Sequence, residues 1–284
     1  MFVPDTAAIV EPVRDALFHL RYRDPDQAPP NAALWNVTLE TLIGHRSVRR
    51  YLPDALPDGT LELLVAAAQS AATSSSLQVW SVVAVTDAGR RDRLAAFAGG
   101  QRHIQQAPLF LAWLADLRRL RALGEERGLD LEGPDYLEMQ LVAMVDAALA
   151  AQNAAVAAES MGLGTVYIGG MRNHPEKVAA ELGLPPNVFC VFGMCVGWPD
   201  LDAGEAVKPR LPQSVVLHRE QYEGTPNAAT IAAYDLRMRE FQGEQRMSPA
   251  DWSAQSVQRV EKLPALMGRE RMREAMANLG FILK

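Results

Sequence analysis

Cysteine is scarce in this chain: 284 residues contain two, Cys190 and Cys195. They sit five apart in the apolar run FCVFGMCVGW, a spacing that an unbroken strand puts on opposite faces. Such a pair is neither a metal motif nor a disulfide framework, and it predicts buried structural thiols. Long hydrophobic runs are lacking as well. No segment approaches the roughly 18 uninterrupted apolar residues of a membrane span. The opening stretch MFVPDTAAIVEPVRD has neither the basic region nor the continuous apolar core of a secretory signal. Both absences lead to the expectation of a cytoplasmic protein without membrane contact. Positive charge is in deficit: the net charge is −6 at pH 7 and the pI about 5.5. That argues against nucleic-acid binding, which usually needs a basic surface.

Ready-made catalytic sets are missing too. There is no Ser–His–Asp set, no HExxH metal spacing and no close carboxylate pair on a helix face, and the five histidines are scattered. GxGxxG after a strand and GxxxxGK[ST] are both absent, so a Rossmann or P-loop phosphate site has no support. No repeat recurs at solenoid periods.

What is present is ordinary for a soluble fold: 49% hydrophobic and 22% charged residues. The length allows one large domain or two modest ones. Residues 5–22 predict an amphipathic helix, and the proline-rich RDPDQAPPN ends it. A second helix is expected over 32–43, stopping at Gly44, and a third over 61–70. Strands are expected over 80–87, over 109–116, through GLGTVYIGG and through FCVFGMCVGW. Between them RRDRLAAFAG and HPEKVAAELGL read as helices, and residues 117–135 as a charged, glycine-containing excursion. Residues 136–161 form an alanine-rich helix that is apolar on most sides. It is expected to be buried against a long helix or a second subunit. Asp146 inside it reads as a capped or paired structural acid. VKPRLPQSVVLHREQY reads as extended, and the chain from about 227 onward as charged helix. This order fits an α+β or three-layer fold better than a barrel.

Five stretches carry possible chemistry. GHRSVRRY packs three arginines and a histidine into eight residues of an acidic chain. Such a cluster either offsets the negative end of the preceding helix in solvent or grips an anion such as phosphate. Lys208 and Arg210 in KPRLP, two apart on an extended backbone, point to one face and could grip one anion together. TSSSLQ, residues 73–78, is either a plain linker or a set of small hydroxyls for a polar ring edge. Gln101 in GGQRH offers both a donor and an acceptor. The glycines of YIGG, residues 167–170, would let backbone N–H groups approach a ligand closely. Several ligand-gripping stretches without a side-chain nucleophile suggest a cofactor that brings its own chemistry.

Taken together and in order, GHRSVRRY, TSSSLQ, GGQRHIQQAP, DAALAAQNAAVAAESMGLGTVYIGG, FGMCVGWP and KPRLP resemble the FMN-dependent nitroreductase family. The likeness is greatest to its NADPH-dependent, oxygen-insensitive nitroreductase and NADPH-flavin oxidoreductase branch. The resemblance implies a three-layer α+β fold around a mixed, mainly antiparallel sheet flanked by helices. It also implies an intertwined homodimer with FMN at the subunit interface. By residue, it implies that His45, Arg46, Ser47 and Arg49 bind FMN at its phosphate and pyrimidine ends. Lys208 and Arg210 would close on the phosphate, and Thr73 and Ser74 would line the flavin edge. Gln101 and His103 would be further FMN-site positions. Tyr167, Ile168, Gly169 and Gly170 would bring backbone N–H groups near flavin N5, the reactive centre, leaving no catalytic side chain and no metal.

The implied activity is ping-pong, two-electron (hydride) reduction of nitroaromatics, quinones or free flavins, with NADPH favoured over NADH. Alternatives within the resemblance are a narrow flavin reductase, a reductive dehalogenase and a non-catalytic flavin-binding protein. Residues 1–31 read as a helical appendage and linker. Residues 32–284 read as one FMN-binding domain with a helical excursion over about 227–284. Three departures stand out: the extra first 31 residues, Ser76 where the family often has asparagine, and a loosely matching stretch near QGEQRMSPADW. In that stretch Arg246, with Arg237 and Arg239 behind it, is the candidate for the NADPH 2′-phosphate.

Overall fold

Four apolar runs pair into one sheet in the computed structural model, which describes residues 7–224 and 227–284. They are β1 (Trp80–Val85), β2 (Leu109–Asp116), β3 (Gly164–Ile168) and β4 (Val188–Gly197). Their order is β1-β2-β4-β3, and each pair is antiparallel. The parallel component is small: the isolated bridge between Ser47 and Thr165. β2 is buried along its whole length, as expected for a strand covered on both faces.

The register of β2 against β4 shifts between Trp113 and Leu114, so that Trp113 faces Phe192 and Leu114 faces Cys190. Val191 is the extra residue of this bulge, and it reverses the alternation beyond it. The two cysteines therefore do not lie on opposite faces. Both pack into the same apolar cluster with Phe110, Ala112 and Ile168. Burial pushes the Cys190 thiol up to about 12 and the Cys195 thiol higher still, which keeps both inert.

The chain groups into two compact units: residues 1–46 with 204–265, and residues 47–203 with 266–284. α1 (Ala7–Tyr22) and α2 (Val37–Ile43) open the first unit; residues 5 and 6 of the expected helix lie outside the described residues. The helix expected over 32–43 is broken. Asn31 caps a single 3-10 turn at Ala32–Leu34, and Asn36 caps α2 by accepting from the N–H groups of Thr38 and Leu39. The second unit contributes α3 (Thr60–Gln69), α4 (Ala88–Phe97), α5 (Arg102–Gln106), α6 (Arg118–Glu126), α7 (Leu137–Ser160) and α8 (Pro175–Leu182). α6 lies within the charged, glycine-containing excursion expected after β2. Asp116 starts it by accepting from the N–H groups of Arg118 and Arg119.

α9 (Gln213–Val216) is a short turn inside the stretch expected to be extended. α10 (Ala228–Glu244) and α11 (Trp252–Glu261) complete the first unit, and α12 (Met272–Asn278) belongs to the second. In the first unit, Tyr234, Met238 and Phe241 of α10 form a small core with Leu211 and Trp252.

α7 packs on α3 and on the sheet through Ala143, Ala147, Ala150, Ala151, Ala154 and Ala158. Small side chains allow that close approach. By length and composition α7 could cross a membrane. Its alanine face and Asp146, however, are buried in the unit's own core. Its other face carries Leu137, Leu141, Val145 and Leu149, spaced four apart and exposed in the single chain.

Candidate functional site

The cationic stretch after α2 is fixed by its one apolar residue. Val48 is buried, and its N–H donates to the Thr165 carbonyl at 2.9 Å. A Cβ on Gly164 would come within 2.6 Å of Val48, so a glycine is required there for the stretch to lie against β3. Tyr51 reinforces the turn by donating its hydroxyl to the Val48 carbonyl at 2.7 Å. Between the buried Val48 and Tyr51, Arg49 and Arg50 are both exposed. The boundary between the two units falls inside this stretch: His45 and Arg46 belong to the first, Ser47 and Arg49 to the second.

In the second unit the hydroxyl loop hangs on Asp146. This carboxylate, 1% exposed, accepts from the Thr73 hydroxyl at 2.5 Å and from the N–H groups of Ser74 and Val79 at 3.2 Å each. Thr73 also accepts from the Gln78 N–H at 2.9 Å, so its hydroxyl serves the loop. Ser74 is exposed. Ser75, Ser76 and Gln78 hold φ values of 49°, 55° and 52°, which side-chain-bearing residues rarely adopt.

Gln101 donates to the Ala98 carbonyl at 2.8 Å, and both groups press on Gly170. A Cβ at Gly170 would lie 2.7 Å from the Ala98 oxygen and from the Gln101 amide nitrogen. Gly169 has room. YIGG thus leaves β3 as a 3-10 turn, with Ile168 buried and the Tyr167 ring edge-on to Phe192. Burial, then the nearby Glu159, holds the Tyr167 phenol far above its usual range, so it stays neutral.

His103 is the most informative member. Its Nε2 is buried and has no hydrogen-bond partner among the described residues. Burial, and secondarily the positive charge of Arg49, lowers its pKa and keeps the imidazole neutral. A neutral imidazole with an unused ring nitrogen has capacity for a polar ligand atom.

In the first unit, Lys208 and Arg210 share the wall of a cavity of ≈ 600 Å³ with Tyr22, Tyr234, Met238 and Trp252. Aromatic and aliphatic walls with a few cations suit a ligand that joins an apolar body to an anionic group. Sequence reasoning missed the residue that organises this side. Arg21, at the last turn of α1, is 7% exposed and bonds the carbonyls of Ile43, His45 and Lys208. Of the expected nucleotide contacts, Arg237 and Arg239 are held by Asp24 at 2.7 Å and Asp251 at 2.9 Å. Arg246 is exposed just beyond α10.

The second unit is an α+β sheet bearing a hydroxyl loop, a buried histidine and a glycine turn, and the first unit carries a pair of cations on a cavity wall. The chain belongs to the nitroreductase family: residues 42–198 match the model "Nitroreductase family", and residues 208–284 match "Nitroreductase family, C-terminal domain". It is 42% identical over 206 residues to the NADPH-flavin oxidoreductase of Vibrio harveyi, covering 72% of this chain and 82% of that one. It is 40% identical over 204 residues to the oxygen-insensitive NADPH nitroreductase of Salmonella typhimurium, again covering 72% and 82%. Among solved structures, NfrA2 of B. megaterium superposes with a TM-score of 0.83 at 36% identity, over 88% of this chain and 100% of that one. The Vibrio harveyi NADPH:FMN oxidoreductase complexed with NAD+ gives a TM-score of 0.78 at 36% identity, with the same coverage.

Proposed function

We propose that this chain is an NAD(P)H-dependent oxidoreductase that works with bound FMN and reduces nitroaromatics, quinones or free flavins in a ping-pong cycle. The observation that carries the reading is the donor set. Two cations share the wall of an aromatic cavity, and a neutral histidine has an unused buried nitrogen. Each by itself suits one part of that cofactor: the cations of the first unit a phosphate, the imidazole of the second a polar ring atom. The relatives named NADPH-flavin oxidoreductase, FMN reductase (NADPH) and oxygen-insensitive NADPH nitroreductase support the same conclusion.

When bound, FMN supplies a ring that accepts hydride from a reduced nicotinamide and passes two electrons on. The chain's own residues do the holding. Lys208 and Arg210 grip the phosphate, with His45, Arg46 and Ser47 as further contacts, through charge-assisted bonds. Arg49 provides positive charge at the ring's polar end. His103 and Gln101 accept or donate at its edge, and Ser74 adds a hydroxyl where Thr73 is already engaged. Gly169 and Gly170 offer backbone N–H groups without side-chain bulk. No side-chain acid or base is required. Arg246 is the proposed contact for an NADPH 2′-phosphate. The exposed stripe Leu137, Leu141, Val145 and Leu149 on α7 supports a homodimer that covers it.

An anaerobic titration with NADPH and with NADH, followed by a panel of acceptors, tests the reading. The yellow FMN-loaded protein should bleach, faster with NADPH, and recolour on addition of a nitroaromatic or quinone. A single acceptor out of the panel would narrow the function to a dedicated reductase. A protein that stays yellow with both donors would reduce it to flavin storage.

A further inference from the structure

Arg21 lies outside both stretches matched by the family models, which cover residues 42–198 and 208–284. Its guanidinium nevertheless reaches into both. Nε and Nη2 donate to the Ile43 carbonyl at 3.1 and 2.7 Å, and Nη2 donates to the His45 carbonyl at 2.6 Å. Nη1 donates to the Lys208 carbonyl at 2.9 Å. The backbone completes the clasp, since the Arg210 N–H donates to the Arg21 carbonyl at 2.8 Å. One residue of α1 therefore fixes the main chain of His45 on one segment, and of Lys208 and Arg210 on the other.

We infer that Arg21 is a positioning residue for anion binding: it sets the spacing of the two basic segments that hold the FMN phosphate. The inference rests on the FMN reading above. Its physical basis is geometric. A guanidinium presents its donors in a planar, rigid fork, so three carbonyls bonded to it have fixed mutual directions. Burying that charge is tolerable because it is hydrogen-bonded. Lys208 and Arg210 lie two apart, and with both backbones pinned their side chains project from a defined base into the cavity they share. A lysine at position 21 would carry the charge without the fork.

Arg14 provides an internal control. It is a second buried arginine of α1, yet its partners are the Pro30 carbonyl at 3.0 Å and Asp15 at 2.7 Å. It therefore anchors the linker and touches neither basic segment.

The test measures dissociation constants for FMN and for riboflavin, which lacks the phosphate, together with thermal midpoints. The proteins are the wild type, Arg21→Ala, Arg21→Lys and Arg14→Ala, all as full chains. Arg21→Ala should weaken FMN by about tenfold, the change that follows ~1.4 kcal/mol, while riboflavin changes by no more than about twofold. Arg21→Lys should recover only part of the loss. Arg14→Ala should keep the wild-type ratio of the two constants even where its midpoint falls. Should Arg21→Ala fail to fold, Arg21→Lys alone decides, by a raised or unchanged ratio. If FMN and riboflavin weaken equally in the Arg21 variants, or the wild-type ratio persists, the inference is overturned. A wild type that binds neither compound overturns the FMN reading itself, and this inference with it.

Discussion

Asp146 in the second unit and Arg21 in the first do similar mechanical work with opposite charge. Asp146 gathers donors: a hydroxyl and two N–H groups of the TSSSLQ loop and the residue after it. Arg21 gathers acceptors: the carbonyl of Ile43 at the end of α2 and those of His45 and Lys208 in the two basic segments. The difference follows from backbone shape. The hydroxyl loop turns back on itself, with φ positive at three residues, and brings the N–H groups of Ser74 and Val79 at its two ends to one carboxylate. The basic segments present carbonyls, which a buried cation satisfies. An acid used as a staple leaves a neutral, hydroxyl-bearing surface outside. An arginine used as a staple consumes carbonyl oxygens and leaves a surface dominated by cationic side chains. Ring edge and phosphate call for those two surfaces respectively.

Removing a staple separates the two roles, and Asp146→Ala should have the largest effect. It leaves three buried or half-buried donors without an acceptor and should cost about 3 kcal/mol of stability in a denaturant titration. Asp146→Asn, which keeps one acceptor oxygen, should cost less. Because neither variant touches the basic segments, both should keep the wild-type ratio of FMN to riboflavin affinity. A changed ratio would erase the division of labour between the two staples.

A smaller effect comes from His103. Its pKa is lowered in the folded protein, so between that value and the ordinary histidine range near 6.5 the unfolded chain binds more protons. Stability should therefore be complete above that range and decline as pH falls through it. The apo protein's thermal midpoint should drop more between pH 7.5 and 5.5 in the wild type than in His103→Gln; equal drops would remove the buried neutral imidazole from the account.

The smallest effect concerns the strained loop. Ser76 sits at φ 55°, where asparagine is better tolerated than serine. Ser76→Asn should raise stability by about 0.5 kcal/mol. A loss would mean that the Ser76 side chain makes a contact that matters more than its backbone.

Much of this was legible in the chain. The run Leu109–Asp116 announced β2 because its seven consecutive apolar residues before Asp116 match strand length and are flanked by loops. The long alanine-rich helix and the structural role of Asp146 followed from composition and from an acid placed on an apolar face. The break before α2 is written in Asn36, a good capping residue, whereas the stop at Gly44 marks only the helix's end. The bulge at Val191 was not legible, since an apolar run looks the same with or without an extra residue. That hid the shared face of Cys190 and Cys195. Nor was Arg21 visible as a clasp. Its partners are carbonyls, and every residue has one, so no side-chain pattern marks them. Of the two staples, the acid stands out on an apolar helix face, whereas the arginine carries no such mark.

On the function proposed above, Lys208 and Arg210 hold the phosphate of a bound flavin. Flavin retention after exhaustive dialysis tests it most directly, comparing FMN-loaded wild type with Arg210→Ala and with the Lys208→Ala, Arg210→Ala double variant. A charge-assisted phosphate contact is worth roughly 1.5–3 kcal/mol, so the wild type should stay yellow, the single variant should lose much of its FMN, and the double variant should emerge colourless. Wild-type flavin content in the double variant would contradict the claim.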